Sequence, residues 1–189
     1  MANQDSAFGL RAIGKVGQNA DNQGLSEYSI AASATAIYQG DPVKAINTGT
    51  IGVAAAGDVL LGALNGIFYT DAATQKPTWA NHLAASNTAT DIVGFVSDDP
   101  YERFEIQSNN TGASLQTDVF MNYDIEYTAG SSPNFVSKVE LNDSSTTTSS
   151  AQLRIIGVSK DPSNNALASA NTNFVVEIVE HFYKQAAGV

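Results

Sequence analysis

The chain is 189 residues long, enough for one domain with a sizeable core or for two small β modules. Its formal charge of −10, from 19 acidic and 9 basic side chains, argues against nucleic acid or anionic lipid as a direct partner, since both require a cationic face. It has no cysteine, which excludes a disulfide framework, thiolate metal ligands and a cysteine nucleophile.

Hydrophobic residues make up 43% of the chain and charged residues only 15%, well below the usual quarter. Asn, Ser, Thr, Gly and Ala take up the difference, and such a surface is cheaply desolvated against other protein. Met1 to Asp5 has no basic stretch followed by an apolar run, so no secretory leader is expected. No window approaches about 18 uninterrupted apolar residues, so no membrane-spanning helix is expected either.

Residues 1–27 differ from the rest. Gly9, Gly14, Gly17 and Gly24 interrupt them, and Gln18 to Gly24 is polar turn material. This stretch reads as an extended N-terminal arm ahead of a β body spanning 28–189. Within it Phe8, Leu10, Arg11, Ile13, Lys15 and Val16 are the candidates for contact with a partner. An arm of this kind would be removable without disturbing the body.

Strand signals begin at Tyr28 and run to Tyr38; Gly40-Asp41-Pro42 marks a turn, and Val43 to Ile46 resumes a strand. Ile51 to Ala56 and Val59 to Leu64 are short apolar runs around Gly57-Asp58, which reads as a hairpin. Gly66 to Thr70, Ile92 to Val96 and Tyr101 to Gln107 follow. Pro77 to Ala85 reads as a turn or two of helix. Val119, Met121, Tyr123, Ile125 and Tyr127 alternate with Asp118, Phe120, Asn122, Asp124 and Glu126, the period of a half-buried strand. Phe135 to Leu141, Leu153 to Val158 and Phe174 to Tyr183 complete the set. The last has apolar residues on both faces, as a central strand would. Asn142 to Ser150 is a polar loop, and Ala166 to Ala170 is another short turn. Many short antiparallel strands with frequent turns predict an all-β fold, a compact sandwich or barrel, with at most one or two short helices. Two submodules, about 28–110 and 111–189, would share the core.

No catalytic constellation stands out. His82 and His181 are the only histidines, and neither lies in the context of a nucleophile–base–acid set. Asp91, Asp98, Asp99, Glu102, Glu105, Asp118, Asp124 and Glu126 form an acidic stretch broken only by Arg103; Pro100 after Asp98-Asp99 breaks the spacing of a calcium loop. A solvated acidic face is the leading reading, with a structural cation or a catalytic carboxylate pair as the alternatives. Gly9 to Lys15 has the outline of a phosphate loop, but Val16 stands where a magnesium-binding hydroxyl belongs. Asn109-Asn110-Thr111 is a glycosylation sequon expected to be inert without a leader. Tyr101, Phe104, Phe120, Tyr123, Tyr127, Phe174, Phe182 and Tyr183 sit at strand positions and read as core. No enzyme activity, cofactor or metal is expected.

The run Ala2 to Arg11 followed by Gly40-Asp41-Pro42-Val43 resembles short structural proteins of marine and environmental tailed phages. So do Asn122 to Ile125, Ser137 to Thr146, Ala151 to Val158 with Asp161-Pro162-Ser163-Asn164, and the ending Glu180-His181-Phe182-Tyr183. The similarity spans most of the chain, and its motifs are strand-and-turn patterns. The resemblance implies a virion structural protein, most specifically a capsid decoration (cement) protein. As such it would bind the major capsid protein lattice on the outer surface of the capsid, often as a homotrimer. The alternatives are a tail, neck or fibre-base component, or a carbohydrate-binding β-sandwich displayed on the virion. The last would need exposed aromatics and carboxylates gathered on one face.

Overall fold

The structure, a computed structural model, describes residues 3–17, 24–109, 114–144, 151–186 and 188–189. The expected polar turn at 18–24 and loop at 142–150 fall mostly outside these residues, as does the sequon beyond Asn109. Fourteen strands occur among the described residues. They are β1 (Arg11–Lys15), β2 (Ser26–Ser29), β3 (Ile37–Tyr38), β4 (Pro42–Ile46), β5 (Thr50–Val53), β6 (Gly62–Thr70) and β7 (Pro77–Ala80). Then come β8 (His82–Leu83), β9 (Val93–Ser97), β10 (Glu102–Gln107), β11 (Asn122–Glu126), β12 (Glu140–Asn142), β13 (Leu153–Val158) and β14 (Asn173–Ile178). The only helices among the described residues are single 3-10 turns at Gln116–Asp118 and Phe182–Lys184. The fold is all-β.

The strands form two open antiparallel sheets and a small ribbon. The first sheet runs β1, β10, β14, β13, β11, β12; the second runs β2, β9, β6, β4, β5, with β7 also on β6; β3 pairs β8. Neither large sheet closes into a barrel. The second sheet is built from the chain between β1 and β10, and the passage back to the first falls at 98–101. Each sheet buries the alternate side chains of its strands, as period-two patterning requires. Phe104, Ile106, Tyr123, Ile125, Leu153, Ile155, Phe174, Val176 and Ile178 form one cluster; Ile30, Val43, Ile51, Leu64, Ile67, Ile92 and Val96 form the other. β14 is central, between β10 and β13, as its apolar run suggests.

The two halves are tied together. Leu60 and Ala54, from the chain that builds the second sheet, pack in the first cluster. Leu60 N–H donates to Glu180 O at 2.8 Å, and Phe182 N–H returns to Leu60 O at 2.8 Å. Buried Gln152 donates from Nε2 to the carbonyls of Ala55 (2.9 Å) and Asp58 (2.8 Å), and its Oε1 accepts from Ile125 N–H at 3.1 Å. The buried amide thus uses its donors across the junction and its acceptor within the first sheet, leaving neither unpaired.

The N-terminal stretch is not a free arm. Asn3 Nδ2 donates to Ala166 O (3.0 Å) and Ala170 O (2.9 Å). Ser6 N–H donates to Gln107 Oε1 at 2.8 Å, and Gln107 Nε2 donates to Gln4 O at 3.0 Å. At Gly9 the strand crosses Gly40. Both have positive φ (+74° and +87°), and a Cβ on Gly9 would lie 2.3 Å from Gly40 O. Only glycine fits such a crossing. Leu10 N–H then donates to Gly40 O at 2.8 Å, and β1 pairs with β10.

Four local expectations are corrected. Pro77 to Ala85 is not helical: β7 pairs with β6 as a hairpin arm, and β8 pairs with β3. Gly57-Asp58 turns the chain, but β5 and β6 do not pair; β4 lies between them. The alternation from Asp118 to Tyr127 holds only from Asn122, because Phe120 takes φ +75° in a turn that leaves it exposed. Likewise Phe135, at φ +53°, sits in a turn, and the strand expected over Phe135 to Leu141 begins only at Glu140 and runs to Asn142.

Candidate docking surfaces

The residues expected to contact a partner part company. Leu10, immediately before β1, is only 2% exposed and belongs to the first core, so it is unavailable to any partner; its N–H is held by Gly40 O. Phe8 is half-buried beneath the Arg11 guanidinium, which lies 4.5 Å from its ring centroid. Arg11 also pairs with Glu105, and Lys15 pairs with Asp99 at 2.6 Å. Ile13 and Val16 remain exposed, at 46% and 42%. Ile13 is the extra residue of a bulge: Ala12 faces Phe104 and Gly14 faces Arg103, with Ile13 between them unpaired. A bulge bends its strand and re-aims a side chain. Here it sets Ile13 at a groove of about 550 Å³, lined also by Lys15, Arg103, Val158, Lys160 and Val175. β1 ends its sheet, so its outer edge has no strand beside it among the described residues.

The acidic stretch is dispersed by the fold into separate structural duties. Asp98 accepts from Ser26 Oγ (2.9 Å) and from the Tyr28 hydroxyl (2.5 Å). Lys15 holds the Asp99 carboxyl below its ordinary range. Asp118 accepts from Leu115 N–H at 2.7 Å, and Asp124 from Gln152 N–H at 3.2 Å. No group of three metal-ligating side chains forms among the described residues.

Both histidines are held by their surroundings. His82 stacks on Phe135 (4.0 Å between centroids, 4° between planes), and burial lowers its pKa. His181 is fully buried, and its Nδ1 accepts from Tyr183 N–H at 3.1 Å. Burial, with Lys184 adding repulsion, pushes its pKa down to about 4, so it is neutral near pH 7.

A second surface went unseen in the sequence. On the outward face of the second sheet, register aligns Ser29, Val93, Phe68 and Trp79 across four strands, and Glu27, Phe95 and Gly66 in the adjoining row. Gly66 has no side chain, and Trp79 reaches past it to stack on Phe95 (5.2 Å, 22°), while Phe68 braces it at 4.8 Å. The indole is nonetheless 70% exposed. The signal was present: Pro77 and Trp79 alternate with Thr78 and Ala80 just after a polar hairpin turn, a strand pattern that the helical assignment of Pro77 to Ala85 obscured.

No family model matches the chain, and no curated protein or solved structure matches it either.

Proposed function

We propose that this chain is a structural virion protein that docks on the outer surface of an assembled phage capsid as a decoration protein. The observation that carries the docking geometry is the bulged outer strand β1. It projects Ile13 from a sheet edge with no strand beside it among the described residues, and Val16 is exposed three residues on. Natural sheets blunt or cover their edges, and the bulge blunts this one against indiscriminate strand addition while presenting a specific apolar side chain. The resemblance to tailed-phage structural proteins supplies the partner, the capsid lattice. A protein that binds the assembled shell and not its free subunits stabilises the shell by mass action.

The experiment is the double variant Ile13→Glu/Val16→Glu, added to particles lacking the protein. Both positions are exposed, so its thermal midpoint should stay close to that of the unsubstituted chain, while shell occupancy falls at least about tenfold as two carboxylates meet a desolvated surface. Normal occupancy would reject β1 as the contact. Antibody labelling confined to the tail would reject decoration in favour of a tail or neck component.

A further inference from the structure

We propose that the outward face of the second sheet is a second docking site: a platform on which Trp79 receives an arginine or lysine side chain of a protein partner. The proposal is independent of whether that partner belongs to a virion.

Three observations carry it. The indole stacks on Phe95 and lies tilted against Phe68, yet remains largely exposed. A ring fixed in advance loses little entropy on binding. Next, the only charged residue on the strands that build the platform, β2, β6, β7 and β9, is acidic, and Lys44 on β4 of the same sheet is paired with Asp58 at 2.8 Å. Glu27 faces Phe95 across the β2–β9 pair, and Asp91 lies two residues before Val93, its carboxylate accepting from Thr70 N–H at 3.0 Å. None of β2, β6, β7 and β9 carries a lysine or arginine; the nearest in sequence is Lys76, in the turn before β7. Last, the chain as a whole carries −10, which draws a cationic partner toward it.

A guanidinium or ammonium over an indole face is attracted by the ring quadrupole, and flanking carboxylates add to that attraction. Arginine suits the site better than lysine, because its planar guanidinium stacks on the ring while its edges reach Glu27 or Asp91. A neutral glycan could stack on the same ring but would gain nothing from the net charge of the rim. A cationic partner therefore uses more of what the face offers.

Trp79 is the only tryptophan in the chain, so its emission reports directly on the platform. The full-length protein is titrated with an acetylated, amidated hexa-arginine peptide and, separately, with chitohexaose, following Trp79 emission. Variant affinities are then measured by calorimetry. The expected result is a saturable change in emission with hexa-arginine. Trp79→Ala should weaken binding about tenfold and Glu27→Gln less, while Trp79→Phe retains most of the affinity. Asp161→Asn, which removes an acid lining the groove beside β1, should leave it unchanged. Circular dichroism confirms that each variant is folded. The proposal is overturned if hexa-arginine leaves the emission unchanged, or if folded Trp79→Ala binds as tightly as the unsubstituted chain. It is also overturned if Asp161→Asn costs as much as Glu27→Gln, which would mean net charge alone, or if only chitohexaose changes the emission.

Discussion

Glu140 faces Glu126 directly across the β11–β12 pair, a like-charge pairing that sheets normally avoid. Burial, followed by repulsion from Asp5, Glu126 and Asp143, pushes its pKa up from 4.5 to about 7. The folded state therefore holds a proton that the unfolded state has already released between these two values. Stability consequently falls as pH rises from 4.5 to about 7 through this group. Buried Asp41, raised to about 6 chiefly by burial, acts in the same direction from 3.8 upward. His181 acts in the opposite direction. Its folded pKa lies below the ordinary 6.5, so its contribution is lost as pH falls toward about 4. Glu140→Gln should raise the thermal midpoint at pH 8 and flatten its decline between pH 5 and 7, leaving the acid limb set by His181 in place. Calorimetry across pH checks this, and an unchanged slope would mean that Glu140 carries its charge without penalty. None of this was legible in the sequence, because the Glu126–Glu140 pairing joins residues whose register depends on the turn at Phe135.

At the scale of elements, the sequence was most legible where apolar alternation was backed by burial on one face. Leu153 to Val158, Tyr101 to Gln107 and Ile92 to Val96 fall within a residue of β13, β10 and β9, while the strand expected over Phe174 to Tyr183 ends at Ile178 and gives way to a 3-10 turn at Phe182–Lys184. It was least legible where side chains replace the ladder. Asn3, Gln4 and Ser6 are fixed by amides of Gln107 and Asn164 and by carbonyls more than a hundred residues away, and no local pattern encodes that. The same stretch ends on Leu10, whose burial makes β1 part of the body. Truncation before Gly24 should therefore destabilise the fold, where a free arm would be removable without loss. Leu10→Ala alone should cost about 2–5 kcal/mol. Chemical denaturation of the truncated chain measures this; an unchanged midpoint would show that β1 and its core contact are dispensable. Contact candidates were legible only in part: Ile13 and Val16 are exposed, but nothing in the sequence distinguished them from Leu10. The aromatic platform was hidden because its three rings come from β6, β7 and β9 and meet only through register.

On the scale of the whole molecule, the chain is a pair of interlocked antiparallel sheets with its ionisable groups largely committed to structure. Asp98 serves Ser26 and Tyr28, Asp99 serves Lys15, and Glu105 serves both Arg11 and Ser159. Among the large apolar side chains open to solvent, Ile13 and Val16 lie at the edge of the first sheet and Trp79 on the face of the second, while Tyr101, Phe120 and Tyr183 are exposed in turns. The proposed function assigns the first of these surfaces to the capsid. The most direct test is a cryo-EM reconstruction of particles that contain this chain. The account predicts density for the two-sheet body on the outside of the capsid shell, with β1 turned toward the capsid protein. Density confined to the tail or neck, or a shell-bound body with β1 facing solvent, would contradict it.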